Sequence, residues 1–338
     1  MNITLGLLLS LIAGLMLGSF ALPQKKIKQW QWENYWAVFT LFGAFIFPLV
    51  IALITVPHLT EVIWSAPANV LWAVFGFGSA WGIANIGYGM SIQKLGIAMA
   101  LALVLGINNA VGSILPILLY YPDKLTQPVG LWIISGVAII ICGIVLCAIA
   151  GNVREKEQNK SNSGKSDKGL FLFWLVIAIG TGILAAAFNF ALIFGKPLEI
   201  IAISKGAIVT NAANATWVVG LTGGCIVTLL YCAFLWFKNK TFVLFVKSGT
   251  SINWLLAGLM GLLWFGGVMI YGMSASMLGV LGASIGWPII QGMSVGSANF
   301  WGIVTGEFMG AAKAKKIMYL SLLFIILGVI CIGYAGSL

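Results

Sequence analysis

Charge is what this sequence most lacks. Asp, Glu, Lys and Arg make up 8% of its 338 residues, against roughly 25% in soluble domains. So few charges cannot cover a water-facing surface, which excludes an ordinary soluble globule. Histidine is almost missing as well. His58 is the only one, and a His-based metal centre is excluded with it. The five cysteines (Cys142, Cys147, Cys225, Cys232, Cys331) form no CxxC and all fall in apolar stretches. They read as small apolar fillers, with no metal or disulfide framework implied. No cofactor is expected.

What is present is apolar. Hydrophobic residues reach 61%, and 42 glycines suit close helix–helix packing in lipid. A bilayer core takes about 20 apolar residues per helix. The pattern predicts an all-α integral membrane protein of about ten helices, near 2–22, 35–56, 69–93, 96–120, 129–149, 170–194, 208–237, 250–275, 278–304 and 317–337. Met1–Leu22 has no positive n-region, so it reads as the first helix and not as a signal peptide.

A net charge of +10 invites a nucleic-acid reading, which fails once the charges are placed. Lys25, Lys26 and Lys28 follow the first helix and Lys94 the third. Arg154, Lys156, Lys160, Lys165 and Lys168 follow the fifth. Lys238, Lys240 and Lys247 follow the seventh, and Lys313, Lys315 and Lys316 the ninth. The alternate loops hold only Lys124, Lys196 and Lys205. The positive-inside rule then puts the odd-numbered loops in the cytoplasm and both termini outside a plasma (inner) membrane. The Lys25–Lys28 run, with Trp30, Trp32 and Trp36, is expected to anchor at the interface and touch anionic lipids.

One polar segment, 151–169, divides the chain into a first half, 1–150, and a second, 170–338. It is rich in Ser, Asn, Gly and charge, the composition of a flexible linker. The halves repeat. Trp81, Tyr88-Gly89-Met90-Ser91 and Leu95-Gly96 recur as Trp264, Tyr271-Gly272-Met273-Ser274 and Leu278-Gly279, and Gly78 matches Gly261, all at an offset of 183. Five helices per half is an odd number, so the second copy is expected upside down. Inverted repeats are the architecture of secondary transporters with alternating access. A membrane enzyme would need a catalytic cluster, and none is visible.

Further residues carry a family resemblance. These are Leu22-Pro23-Gln24-Lys25-Lys26-Ile27-Lys28 with Trp30, Trp32 and Glu33, then Trp81-Gly82, Asn85, Tyr88-Gly89 and Leu95-Gly96. Weaker likeness runs through Lys168-Gly169-Leu170, Lys196-Pro197, Trp264 with Tyr271, and Trp287. The pattern resembles the L-rhamnose–proton symporter family of the drug/metabolite transporter superfamily. The resemblance implies ten helices in two halves and uptake of a neutral sugar, L-rhamnose or a related deoxyhexose, driven by protons. Sodium-coupled uptake, or a metabolite or drug exporter on the same architecture, is the alternative.

A sugar site needs hydrogen-bonding groups for hydroxyls and an aromatic platform for C–H faces. Trp81, Asn85 and Tyr88 stand at i, i+4 and i+7, on one helical face. Trp287, Gln291 and Ser294 form a similar stripe beside Pro288, where a proline frees a backbone carbonyl. Trp264 and Tyr271 repeat the aromatic pair with Val268 in place of the amide. Asn108, Asn189, Asn211 and Asn214 are further candidates, with interhelical bonding as their competing role. Asn108 and Asn109 cannot face the same way. For the proton, Glu307 follows a charge-free stretch, Ser248–Gly306, and partial burial at the end of the ninth helix is expected to raise its pKa. Glu155, Glu157 and Asp167 are set aside as linker acids.

Overall fold

The computed structural model describes residues 2–95, 97–158 and 168–338, and no strand occurs among them. Gly96 and positions 159–167, with Lys160, Lys165 and Asp167, lie outside the described residues. The main helical stretches are α1 Ile3–Ser19, α2 Trp32–Thr55, α3 Ala68–Leu95, α4 Ile97–Tyr120 and α5 Pro128–Glu157. The second half adds α6 Phe171–Ser204, α7 Ala213–Asn239, α8 Ser251–Met277, α9 Gly282–Val304 and α10 Ala312–Ala335.

Among the described residues, nine stretches are long and apolar enough to cross a bilayer. The other, α9, has the length, 23 residues, but carries Ser284, Gln291, Ser294, Ser297 and Asn299. Ser284 and Ser297 are buried inside the bundle, where polar groups can bond neighbouring helices. Large apolar side chains such as Leu53, Trp72, Leu230 and Phe237 face outward, as lipid-facing surfaces require.

Several helices depart from the expected bounds for local reasons. The fifth helix continues to Glu157, into the segment expected to be a linker. Glu157 is not an idle linker acid. Its carboxylate accepts from the Lys313 and Ala314 N–H groups at 3.2 and 3.0 Å, satisfying orphan donors at the start of α10. That cap explains why α10 begins at Ala312 and not near 317. Helix α2 carries a π-turn, Phe42–Ile46, that ends two residues before Pro48. Helix α6 is interrupted at Ala186, where the Ala186 and Asn189 N–H groups bond three residues back, to Ile183 and Ala186. The tightened turn sets the direction of Phe188 and Asn189.

Small residues let the helices approach closely. A Cβ on Gly78 of α3 would collide with the Gly220 carbonyl of α7. One on Gly261 of α8 would come within 2.8 Å of the Gly43 nitrogen of α2. Helices α5 and α10 run antiparallel, with Gly136 against Gly328 and Gly143 against Ile325. Ser321 donates to the Gly143 carbonyl at 2.7 Å. Helices α2 and α7 also run antiparallel, with Asn34 donating to the Thr241 carbonyl at one end and Cys225 lying by the Thr40 carbonyl further along. Helix α1 packs on α8 and α9, and α6 packs on α3 and α4.

The connections sort by end. Trp30 Nε1 donates to the Leu244 carbonyl at 3.0 Å and Asn253 to the Lys28 carbonyl at 2.8 Å, joining the α1–α2 loop to the α7–α8 loop and the start of α8. Glu307 of the α9–α10 loop meets Lys25 and Arg154 at the same end. The α2–α3 and α6–α7 connections meet each other instead, through Lys205 and Glu61 at 2.9 Å.

Candidate functional site

A cavity of about 250 Å³ lies between the two halves. It falls just below the roughly 300–1,000 Å³ of drug-sized sites, which suits one monosaccharide. Its polar lining is Asn85, Tyr88, Asn108, Tyr271, Gln291 and Ser294, together with Thr40 and Thr228. Its aromatic walls include Trp81, Trp264 and Trp287. Nine of the expected site residues thus meet around one space.

The two equivalent tryptophans meet each other. Trp81 and Trp264 stack with centroids 5.3 Å apart and planes at 20°. Phe188 packs against Trp81 and stacks on Trp217 and Trp287. Such pairs favour offset or edge contacts and rigidify the wall. Asn85 and Val268, also equivalent, both reach the cavity, so its two sides differ chemically as expected.

Asn108 lines the cavity while Asn109 is fully buried beside Ser113, as their adjacency on a helix requires. The Asn108 carbonyl accepts from Trp287 Nε1 at 3.3 Å. Its side-chain Oδ1 is buried and has no protein partner. Asn189 stands one layer back. Pro116 lacks the N–H that would bond the Gly112 carbonyl four residues earlier. Asn189 Nδ2 fills that vacancy at 2.7 Å, and its Oδ1 accepts from the Tyr271 hydroxyl. Asn189 therefore positions Tyr271.

Two expected residues lie elsewhere. Asn214 donates to Thr55 Oγ1 at 2.9 Å, tying α7 to α2. Asn211 sits in the short turn Val209–Asn211 at the α7 entrance. Neither lines the cavity. Conversely, Trp36, Phe39 and Thr40 of α2, Phe20, Phe188 and Thr228 do line it. Trp36 is a wall of the cavity and not simply an interfacial anchor. Its spacing with Phe39 and Thr40, i, i+3 and i+4, is the signal that marks the inward face of α2.

Glu307 needs a correction too. It does not line the cavity. Partial burial does push its carboxyl upward, but hydrogen bonds and charge from Lys25 (2.6 Å) and Arg154 (3.1 Å) outweigh that and hold it below the ordinary carboxylate range. A depressed pKa contributes stability above the unfolded value of about 4.3, and the contribution is lost as pH falls through the folded value. The side chain is 42% exposed, so the pair is worth at most about 1 kcal/mol. Glu307→Gln is expected to lower thermal stability slightly at neutral pH and to flatten its decline toward acid. Unfolding curves in detergent from neutral to acid pH test this, and identical curves for the two proteins would contradict it.

A bundle of membrane-length helices around a mid-chain cavity of aromatic and amide groups has the construction of a membrane transporter. The chain belongs to the L-rhamnose-proton symport protein family, whose model matches residues 1–337. This is a family of transporters, not of enzymes. Similar proteins include the L-rhamnose-proton symporters of the Escherichia coli strains Crooks and SMS-3-5. Each is 29% identical, over 328 and 330 residues respectively, spanning 95% of this chain and 94% of the relative. A solved structure titled "Crystal structure of protein" shares the fold, with a TM-score of 0.59 and 13% identity, covering 96% of this chain and 95% of that one.

Proposed function

We infer that this chain takes up L-rhamnose, or a closely related deoxyhexose, together with protons across the plasma membrane, by alternating access between two inverted five-helix repeats. The observation that carries the reading is the monosaccharide-sized cavity walled by Trp81, Trp264 and Trp287 in a chain of this family. The indoles offer apolar faces for the C–H side of a sugar and for its methyl. Asn85 and Gln291 offer bonds to its hydroxyls.

The packing supports the inverted repeat. Equivalent helices α2 and α7, and α5 and α10, run antiparallel. Equivalent glycines exchange partners: Gly78 of α3 meets α7, and Gly261 of α8 meets α2. Asn108 and Gln291 stand 183 apart, like the tryptophans, and both line the cavity.

The two tyrosines are not alike. Tyr88 is half-buried, whereas Tyr271 is 0% exposed beneath Asn189, Trp217 and Trp287. On this reading the Tyr271 side is the closed one. With basic loops inside, both termini and the Tyr271 side face outward. Purified protein in proteoliposomes is expected to accumulate labelled L-rhamnose under an inward proton gradient, with L-fucose and D-glucose as competitors. Uptake that follows sodium and ignores protons would replace the coupling ion. A folded protein that moves none of these sugars would end the sugar reading and favour export of another metabolite.

A further inference from the structure

Proton coupling requires a group whose charge can change within the moving part of the protein, and intramembrane acids are the usual carriers. The acids of this chain occupy very different settings. Glu307 is half-exposed between two cations, and Glu61 is exposed with Lys205 and His58 beside it. Glu157 caps α10, and Asp123 is exposed in a short connecting helix. Glu33 is buried, but Asn239 Nδ2 and Thr241 Oγ1 donate to it at 2.9 and 2.8 Å in the first turn of α2. Two neutral donors satisfy this carboxylate without any cation.

Glu199 differs from all of these. Its side chain is 5% exposed, and its one bonded partner among the described residues is Lys196 Nζ at 2.7 Å. Lys196 is itself 59% exposed, so the cation can leave for water while the carboxylate cannot. A buried carboxylate without its cation is costly, and a buried neutral carboxyl much less so. The other charged groups at this face are already engaged: Lys205 pairs with Glu61, and His58 lies 3.5 Å from Glu61.

The location connects this pair to the site. Glu199 belongs to the same helical stretch, α6, as Phe188 and Asn189. Asn189 holds Tyr271 over the cavity, and Thr216 of α7 clasps the Gly195 carbonyl between the two segments. We propose that Glu199 is the proton-coupling carboxyl of this transporter, with Lys196 as the cation it releases when it takes up the proton. The step is a simple protonation: the carboxylate gains one proton from the adjacent aqueous side, and the Lys196 ammonium stays charged and moves into solvent. Loss of that charge pair frees the outer part of α6, and with it the Asn189–Tyr271 closure. Discharge to the opposite side restores the pair. This assignment rests on the proton-symport reading above.

The test uses the full chain in proteoliposomes. Glu199→Gln is expected to retain L-rhamnose counterflow, which needs no gradient, and to lose both gradient-driven accumulation and rhamnose-evoked proton entry. Accumulation and proton entry that persist in Glu199→Gln overturn the proposal. A wild-type protein that shows no counterflow with L-rhamnose overturns the function reading instead, so the two failures are distinct. If Glu199→Gln also loses counterflow, Lys196→Gln decides. Removing the cation leaves the acid buried and unpaired, which moves the midpoint of the uptake–pH profile upward by about one to three pH units. An unchanged profile in Lys196→Gln overturns the assignment.

Discussion

Replacing Asn189 with leucine is expected to cut L-rhamnose uptake at least ~10-fold and to destabilise the bundle by about 2–6 kcal/mol, counting about 1–3 kcal/mol for each buried group left unpaired. Two groups lose their partner at once. The Gly112 carbonyl has no helical N–H because Pro116 follows it four residues on, and Asn189 is what satisfies it. The Tyr271 hydroxyl, with no exposure to water, loses its acceptor. Uptake falls because Tyr271 is then free to leave its place between Trp217 and Trp287. Tyr271→Phe removes one bond and keeps the ring, so its effect should be smaller on both measurements. Initial uptake rates and detergent unfolding temperatures of the two variants, side by side, check the order. Wild-type uptake in Asn189→Leu would remove Asn189 from the site.

The second large effect is steric. Gly78→Val and Gly261→Val each place a side chain against backbone of a neighbouring helix. Backbone cannot swing aside as a flexible side chain can, and overpacking costs about 1–3 kcal/mol or more. Each variant is expected to fall sharply in folded yield. Two controls sit on the same helices. A Cβ at Gly76 or Gly258 meets nothing within 4 Å, so Gly76→Ala and Gly258→Ala should express normally. Fluorescence size-exclusion profiles of the four proteins compare them directly. Equal tolerance at all four positions would mean that the close α3–α7 and α2–α8 contacts are not needed for folding.

Much of the site was legible because the repeat preserves its spacing within α3 and α8. Trp81, Tyr88, Trp264 and Tyr271 could be paired by counting, and all four reach the cavity. The aromatic–amide stripe of α9 was visible because helical spacing needs no tertiary information. What stayed hidden depended on contacts between distant segments. Phe188 follows a break in α6 that no Pro or Gly announces, since Ala186 stands at the turn. Trp36 resembled an interfacial tryptophan because it follows a lysine run. Glu307 seemed isolated because its two cations lie far away in the chain. Asn211 and Asn214 have the chemistry of site residues, but only the packing of the helices places them away from the cavity, Asn214 against Thr55 and Asn211 in the turn before α7. Glu157 looked like linker, and only the meeting of α5 with α10 shows that it holds a helix end.

Points on a rotation axis stay still while everything around them turns. Trp81 and Trp264 hold equivalent places in their helices and touch each other, so under the proposed inverted repeat the axis relating the two halves passes through or beside their rings. On the proposed alternating access, an exchange of roles between the halves leaves this aromatic contact intact and acts as a rocking about that fulcrum. On the same reading, the barrier to transport lies in what must part at the rims, Tyr271 from Asn189 among them.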